Sequence, residues 1–371
     1  MTPRGWRGAG QGNRTVGRTA CTAAPALHTV TTGGHERARL RPFKTPRFTI
    51  ARRHRMIRRM LYLAAALVVL AAAFFSPSIA QCAFSPGESG PASSQLLLPT
   101  AAPSQIRVSV LKTGHTSAPE IFTYACGSLF HSVGINHTAV LIEHPQGNVL
   151  FDSGLGRGVD AQVASDMAWW AKLLFRFEKD TPARDQLDAA GVAPPRYIAL
   201  SHAHWDHASA LVDFPEAEVL VAGAERTFMA APTHAVLASQ VSSSAIRWRE
   251  IAFENKPFAG FPQSADIFAD GTAVFVPLFG HTPGSVGLFV TTRTGKRYFF
   301  VGDAVWNRAA LRHARPKFWI MGAIVDNDAQ ETGVALRQIA AVMKANPDLE
   351  VVPAHDAQAH DELGYFPSRR E

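Results

Sequence analysis

Three imidazoles and a carboxylate stand within six residues of the chain: His202, His204, Asp206 and His207. Neutral imidazole nitrogens and carboxylates are the usual ligands of zinc and similar divalent ions, and this alternating spacing lets one tight loop aim several of them at one point. The run Tyr197–Leu200 directly before them is apolar and typical of a strand, so the ligands follow a buried strand into a loop. The cluster therefore predicts half of a metal site.

Three more ligand-type residues follow downstream, each after a short apolar run typical of a strand. His281 lies in a glycine and proline turn after Ala273–Pro277, and Asp303 and His355 each end an apolar run. Taken alone, each would more often be an ordinary loop residue or turn cap. In this order after the clustered motif, they predict the rest of the metal site. The remaining histidines of this region do not belong to such an ordered set of ligand-type residues. We interpret them as surface or packing residues: His115, His131, His137, His144, His234, His313 and His360.

The ordered set resembles the signature of the metallo-β-lactamase superfamily. That signature is His-x-His-x-Asp-His, a histidine in a glycine turn, a Gly-Asp pair after a strand, and a last strand-end histidine. All seven positions are matched, and the resemblance covers about residues 106 to 355. It implies an α/β protein with a four-layer αβ/βα sandwich, in which the metals lie between the sheet edges. It also implies a metal-dependent hydrolase.

The resemblance further implies a role for each matched residue. One ion would be held by His202, His204 and His281, the other by Asp206, His207 and His355, with Asp303 bridging the two. Asp152, at the end of the apolar run Asn148–Phe151, would orient a ligand histidine from behind. We expect two divalent ions, with zinc as the expected metal and iron or manganese as alternatives.

Two close cations determine the expected mechanism. A water that bridges them loses a proton near neutral pH, and the resulting hydroxide attacks a carbonyl or phosphoryl centre. The metals would also polarise the substrate oxygen, while Asp206 is the expected catalytic residue, because it can orient the nucleophile and pass a proton to the leaving group. The predicted reaction is hydrolysis without a serine or cysteine nucleophile.

The substrate is suggested by Asp303 at the bridging position. An aspartate at this position resembles the lactonase branch of the family. The resemblance favours a lactone or ester substrate of the acyl-homoserine-lactone type. The lactonase group usually has a tyrosine three residues later, whereas this chain has Trp306, whose indole can donate one hydrogen bond or pack. A β-lactamase or a phosphoric-ester hydrolase is the alternative, and a non-catalytic metal-binding protein is a third interpretation.

The N-terminal region predicts export. Residues 1–55 are rich in Arg, Gly and Thr, and we interpret them as a disordered basic extension or as sequence upstream of a true start at Met56. Residues 56–80 have a positive start, the apolar run Leu61–Phe75 and small residues at the two positions that a signal peptidase recognises. The segment predicts a signal peptide and a periplasmic or secreted protein. An uncleaved membrane anchor is the alternative, and the membrane would then be contacted only through this segment.

The net charge of the chain changes sign once this leader is set aside. The whole chain carries +7, but residues 1–80 hold 14 of the 37 Lys and Arg and one of the 30 Asp and Glu. The remainder therefore has 23 basic and 29 acidic residues, a net charge of −6. Binding to nucleic acid depends on Lys and Arg, so an acidic domain favours a small-molecule substrate and argues against a nucleic-acid partner.

The rest of the chain is predicted to be a linker and one domain. Residues 81–105 are rich in Pro, Ser and Gly and typical of a linker, and residues 106–371 form the hydrolase domain. Cys82 and Cys126 would remain after cleavage and could pair in an oxidising compartment. The aromatic segment Met167–Phe177 is interpreted either as the wall of an apolar pocket or as a helix packed on the core or on a second subunit, which leaves a homodimer open.

Overall fold

The structure is a computed structural model that describes residues 48–83, 93–99, 105–231 and 233–371. The strands in these residues are β1 (Arg107–Pro119), β2 (Ser132–Glu143), β3 (Val149–Phe151), β4 (Glu178–Lys179), β5 (Tyr197–Ala199), β6 (Glu218–Val221), β7 (Arg247–Glu250), β8 (Ala265–Asp266), β9 (Ala273–Pro277), β10 (Val286–Thr291), β11 (Arg297–Phe300) and β12 (Leu349–Val352). They form one sheet in the order β4-β1-β2-β3-β5-β6-β7 and a second in the order β12-β11-β10-β9-β8. Strands β3, β5, β6 and β7 run parallel, as do β11 and β12.

Helices lie between these strands in the sequence. In the described residues they are α1 (Phe48–Ala83), α2 (Val159–Asp166), α3 (Trp169–Leu174), α4 (Ala183–Ala189), α5 (Trp205–Ala208), α6 (Gly223–Met229), α7 (Ala238–Val241), α8 (Trp319–Val325), α9 (Ala329–Ala345) and α10 (Ala357–Leu363). The carboxylate of Asp328 caps α9 by accepting hydrogen bonds from the backbone N–H groups of Gln330 and Glu331.

Alternating side chains fill two faces of each sheet and thereby define four layers. Val108 and Val110 of β1 point into a core shared by both sheets, whereas Leu111 points to the outer face, where Leu187 of α4 packs. On the outer face of the second sheet, Phe299 packs with Ile339 of α9. The order helix, sheet, sheet, helix is the four-layer αβ/βα sandwich that the sequence predicts.

The described part of the chain forms two compact units, residues 48–63 and residues 64–371. The second half of α1 belongs to the larger unit, where Cys82 forms a disulfide with Cys126. The pairing that the sequence left open is therefore made. Within the predicted linker, Leu96 is buried among core residues, and Leu98 donates its N–H to Asn346.

The N-terminal predictions lie partly outside the described residues. Of the extension predicted at 1–55, residues 1–47 lie outside, as do residues 84–92 and 100–104 of the linker predicted at 81–105. In the predicted signal segment, α1 runs through residue 80 and ends at Ala83. Residues Arg52–Pro77 form a helix that is long and apolar enough to cross a membrane.

Candidate metal centre and its cavity

All seven predicted ligands meet at one edge of the two sheets. His202 and His204 follow β5, His281 follows β9, Asp303 lies in a turn after β11, and His355 follows β12. The carboxyl ends of neighbouring parallel strands open on the same edge of a sheet, which is where α/β proteins place their sites. All seven side chains are buried. The topology thus brings together residues that are up to 153 positions apart, from 202 to 355.

The first cluster consists of His202, His204 and His281. One ligand nitrogen from each lies within 4.8 Å of the others, and the Nε2 atoms of His202 and His281 are 3.2 Å apart. Burial and the neighbouring imidazoles hold the pKa values of His202 and His204 well below the ordinary value, and burial and Lys317 lower the pKa of His281. These rings are therefore neutral, with lone pairs available to a cation.

The second cluster contains Asp206, His207 and His355, with Asp303 between it and the first. Asp303 Oδ1 lies 3.3 Å from His207 Nε2 and 3.0 Å from His355 Nε2, while its Oδ2 lies 3.5 Å from His281 Nε2. Asp206 Oδ2 is 3.4 Å from His355 Nε2 and 3.8 Å from His207 Nε2. Oδ2 of Asp303 also lies 3.2 Å from His355 Nε2, so this carboxylate contacts histidines of both clusters.

The carboxylates dominate the electrostatics of the second cluster. Burial opposes the charge on His207, but Asp152, Asp206 and Asp303 raise its pKa well above the ordinary value. Burial likewise opposes the charge on His355, whose pKa Asp303 raises. Burial would raise the pKa of Asp303, but His355 and His207 hold it well below the usual range. The carboxylates therefore favour the protonated form of these two histidines.

The arrangement of the histidine nitrogens shows that the cluster fits metal ions. In four of the five histidines Nδ1 faces an oxygen acceptor at 2.7 to 2.9 Å: Ser201 Oγ for His202, Asp152 for His207, Asp326 for His281 and the carbonyl of Asn136 for His355. Such contacts hold the proton on Nδ1 and fix the orientation of the ring. The lone pair of Nε2 then points inward, where it can bind a metal. Among the described residues, none offers a hydrogen bond to the buried Nε2 of His207. This donor set of inward nitrogens around shared carboxylates suits two divalent ions.

Asp152 lies behind the ligands, as the sequence predicts. Its backbone has a left-handed φ of 60°, and its carboxylate accepts from Ser201 N at 2.7 Å and from Ser201 Oγ at 2.9 Å. The same carboxylate faces Nδ1 of His207 at 2.9 Å. One side chain thereby joins the end of β3 to the loop after β5 and orients His207.

Glu225 of α6 is a supporting residue that sequence reasoning missed. It is fully buried and accepts from Ala203 N at 2.7 Å, from Thr282 Oγ1 at 2.6 Å and from Gly284 N at 3.0 Å. It thus joins the loop of His202 and His204 to the turn of His281. Burial raises the pKa of Glu225, although its donors oppose this. No motif in the sequence marks this residue.

A buried ion pair between Lys317 and Asp326 was also missed. Lys317 Nζ lies 2.7 Å from Asp326 Oδ1 and donates to the carbonyl oxygen of Asp303 at 2.6 Å. The same Asp326 oxygen is 2.7 Å from His281 Nδ1. Burial would raise the pKa of Asp326, but Lys317 and then His281 lower it. The pair therefore holds His281 and the Asp303 turn in one network.

His137, interpreted from the sequence as a surface or packing residue, lies beside the candidate site. This residue lies in the middle of β2 and is buried, with Nδ1 3.0 Å from Asp206 Oδ2. Burial lowers its pKa, although Asp206 opposes that shift. A strand alternates its side chains between two faces, and the sequence did not show that this face meets the site. His360 is also buried, which lowers its pKa to about 3, but it lies beside Asn136 outside the cluster.

A cavity of about 360 Å³ opens beside the ligands. His204, Asp206, His281, Asp303 and His355 form its floor. Its walls are mostly aliphatic and aromatic: Phe122, Ile135, Leu174, Phe175, Trp306, Met321 and Val325. The end of the segment Met167–Phe177 thus forms part of the pocket wall, which was one of the two interpretations made from the sequence.

Comparison with known proteins places this site in a family. A model described as the metallo-beta-lactamase superfamily matches residues 133–355. A probable metallo-hydrolase of Mycobacterium bovis is 29% identical over 234 residues, which cover 58% of this chain and 73% of that protein. An N-acyl homoserine lactonase of Rhizobium radiobacter is 26% identical over 191 residues, which cover 46% of this chain and 67% of the relative.

Solved structures show the same fold at low sequence identity. An N-acyl homoserine lactone hydrolase, solved with the product N-hexanoyl-L-homoserine at its catalytic metal centre, matches with a TM-score of 0.58 and 14% identity, over 72% of this chain and 100% of that chain. The dizinc lactonase AidC matches with a TM-score of 0.50 and 16% identity, over 73% and 92% of the two chains. The family model matches more than half of the residues of this chain. The chain therefore belongs to the metallo-beta-lactamase superfamily and is a metal-dependent hydrolase.

Proposed function

We propose that the protein hydrolyses a lactone or ester with an apolar acyl chain, of the acyl-homoserine-lactone type. The observation that carries this proposal is the cavity, whose floor holds the candidate ligands and whose walls are apolar. An acyl chain buried there gains about 0.8 kcal/mol for each methylene removed from water. The similarity to N-acyl homoserine lactonases supports the same substrate class.

We assign the ions to the two clusters as the signature suggests, with zinc as the expected metal. His202, His204 and His281 would hold one ion and Asp206, His207 and His355 the other, with Asp303 shared. When bound, two such ions supply a hydroxide at neutral pH and polarise the substrate carbonyl.

The protein's own residues position the reacting groups. Nδ1 of His137 lies 3.0 Å from Asp206 Oδ2 and holds this carboxylate at the cavity floor. In the proposed mechanism Asp206 orients the nucleophile and carries a proton to the leaving oxygen as the ester bond breaks. Trp306 and Met321 exclude water from the acyl side of the cavity.

The alternatives from the same fold differ in what the cavity must recognise. A phosphoric ester is anionic, and among the described residues that line the cavity Arg176 is the single Lys or Arg that could add to the charge of the ions. Lys317 is buried nearby and already paired with Asp326. A β-lactamase remains the second candidate. In that case a lactam substrate has to bind beside the shared carboxylate of Asp303.

We also propose that the domain acts outside the cytoplasm, in the periplasm or after secretion. The apolar segment in α1 supports export, and the disulfide between Cys82 and Cys126 is a bond that persists in oxidising compartments.

A chain-length series tests the proposed substrate class. Full-length protein loaded with zinc should hydrolyse acyl-homoserine lactones with kcat/KM rising from a butanoyl to a decanoyl chain. The variant Leu174→Asn, at the cavity wall, should flatten that rise, because it removes apolar surface. The control Val334→Asn, on the exposed face of α9, should leave it unchanged.

A cephalosporin, an aryl ester and a phosphodiester complete the panel. Turnover of the aryl ester and the lactones alone supports the proposal. Turnover of only the cephalosporin or only the phosphodiester would keep the metal centre and reject the substrate class.

A further inference from the structure

Two segments that each contribute a residue to the cavity lining, α3 through Leu174 and residues 120–131 through Phe122, carry exposed apolar side chains. Trp169, Leu173 and Leu174 of α3 are 75%, 58% and 45% exposed, and in the loop before β2 Leu129 and Phe130 are 43% and 96% exposed. We call these five side chains the rim. Large apolar side chains grouped at a surface are typical of a contact with another molecule or with a membrane.

The end of the apolar helix α1 packs directly beside this rim. Phe75 of α1 shares one apolar cluster with Phe122, Phe175 and Trp306, three residues that also line the cavity. The backbone oxygen of Phe74 accepts a hydrogen bond from the indole of Trp319 at 2.8 Å. The last turn of α1 is further fixed by the disulfide from Cys82 to Cys126, which lies in the same loop as Leu129 and Phe130.

The chemistry of α3 suits the surface of a lipid bilayer. The segment from Trp169 to Arg176 combines two tryptophans and two leucines with Lys172 and Arg176. Tryptophan is enriched at the headgroup level, and basic residues beside apolar ones favour anionic lipids. Five arginines precede the apolar part of α1, at positions 52, 53, 55, 58 and 59. Such a basic flank is typical of the cytoplasmic end of a membrane span.

We propose that α1 is retained as a membrane anchor and that the rim lies in the headgroup region of the bilayer, so that the cavity mouth opens onto the membrane surface. This takes the uncleaved anchor in place of a cleaved signal peptide. In this arrangement the apolar stretch that ends at Pro77 lies in hydrocarbon, and Phe75 near its end belongs to the same apolar cluster as Phe175. The rim next to it therefore lies at membrane level. The proposal does not depend on which bond the enzyme hydrolyses.

A second copy of the chain is the competing occupant of the rim. It would bury the same leucines and tryptophans, but it gives no account of the neighbouring apolar helix end. The bilayer accounts for both features together.

Tryptophan quenching by brominated lipid tests the proposal on the full chain. The protein is reconstituted in vesicles of phosphatidylethanolamine and phosphatidylglycerol with one brominated acyl chain. Residues 48–83 contain no tryptophan, so insertion of α1 adds no signal of its own. The variant Trp169→Phe, conservative and at an exposed site, should lose a clear share of the quenched emission. The control Trp248→Phe, in β7 and away from the cavity, should leave the quenched share unchanged.

Three results would overturn the proposal. The first is equal quenching of wild type and Trp169→Phe, which would place the rim in water. The second is release of the protein from the vesicles by alkaline carbonate, which would exclude the anchor. The third is efficient cross-linking between α3 segments of two copies, together with unquenched emission from Trp169, which would assign the rim to a dimer.

Discussion

The indole nitrogen of Trp306 donates a hydrogen bond of 2.7 Å to Oδ2 of Asp303, the carboxylate that lies between the two histidine clusters. Both oxygens of this carboxylate face candidate ligand histidines. Lys317 holds the backbone of the same residue through the carbonyl oxygen. The side chain at 306 therefore supports the candidate bridging ligand from the cavity wall.

Replacing Trp306 by phenylalanine removes this donor and keeps an aromatic wall. We expect a loss of about 10- to 100-fold in metal affinity or kcat, the usual effect of removing a group that orients a ligand. Steady-state kinetics and metal titration measure it, with Trp248→Phe as the matched control. Full activity and metal content in the Trp306 variant would show that the hydrogen bond is dispensable.

Replacing Lys317 by methionine leaves Asp326 as a buried carboxylate without its cation. Breaking a buried pair in this way costs about 3–5 kcal/mol of unfolding free energy. Urea denaturation of the metal-free protein measures it, and Lys344→Met on the exposed end of α9 is the control.

The sign of the pH dependence of this effect follows from the lowered pKa of Asp326. A carboxyl with a lowered folded pKa stabilises the fold above its unfolded pKa, and that contribution is lost as the pH falls through the folded value. The difference between wild type and Lys317→Met should therefore be full at neutral pH and shrink in acid. A difference that grows in acid would contradict the ion pair.

The two clusters should bind metal with different pH dependence. Carboxylates raise the pKa values of His207 and His355, so an ion there must displace protons, and its affinity should rise with pH. His202 and His204 have lowered pKa values and are already neutral. Calorimetric titration with zinc at pH 6 and pH 8, in buffers of different ionisation enthalpy, should show one ion that releases protons and strengthens with pH. Equal proton release by both ions would refute this assignment.

Replacing Glu225 by glutamine should loosen the first cluster. The two carboxylate oxygens of Glu225 accept three hydrogen bonds. In glutamine an NH₂ group replaces one of these oxygens, and it cannot accept a hydrogen bond from the N–H or O–H group that it would face. We expect a loss of about 1–3 kcal/mol in stability for the unsatisfied groups, together with weaker metal binding. Thermal unfolding with and without zinc measures both effects. The surface variant Glu331→Gln, in the first turn of α9, is the control.

The residues of the candidate metal centre could be proposed from the sequence because their residue types and strand-end positions are local features. The supporting residues could not, since tertiary packing alone brings them to the site. Glu225 lies in α6 and Asp326 follows α8, and neither stands in a recognisable motif. His137 is in mid-strand, where the face it occupies depends on how β2 lies between β1 and β3. The partner of Cys82 likewise depends on where α1 ends in three dimensions.

We propose that seven residues hold two ions. Metal analysis of the purified full-length protein, reconstituted with zinc and freed of excess metal, tests this assignment when it is paired with the variant Asp303→Asn. We expect about two ions per chain in wild type, clearly fewer in the variant, and lactone or ester turnover that is lost on chelation and restored by zinc. One ion or none in wild type, or two ions held equally well by Asp303→Asn, would contradict the shared centre.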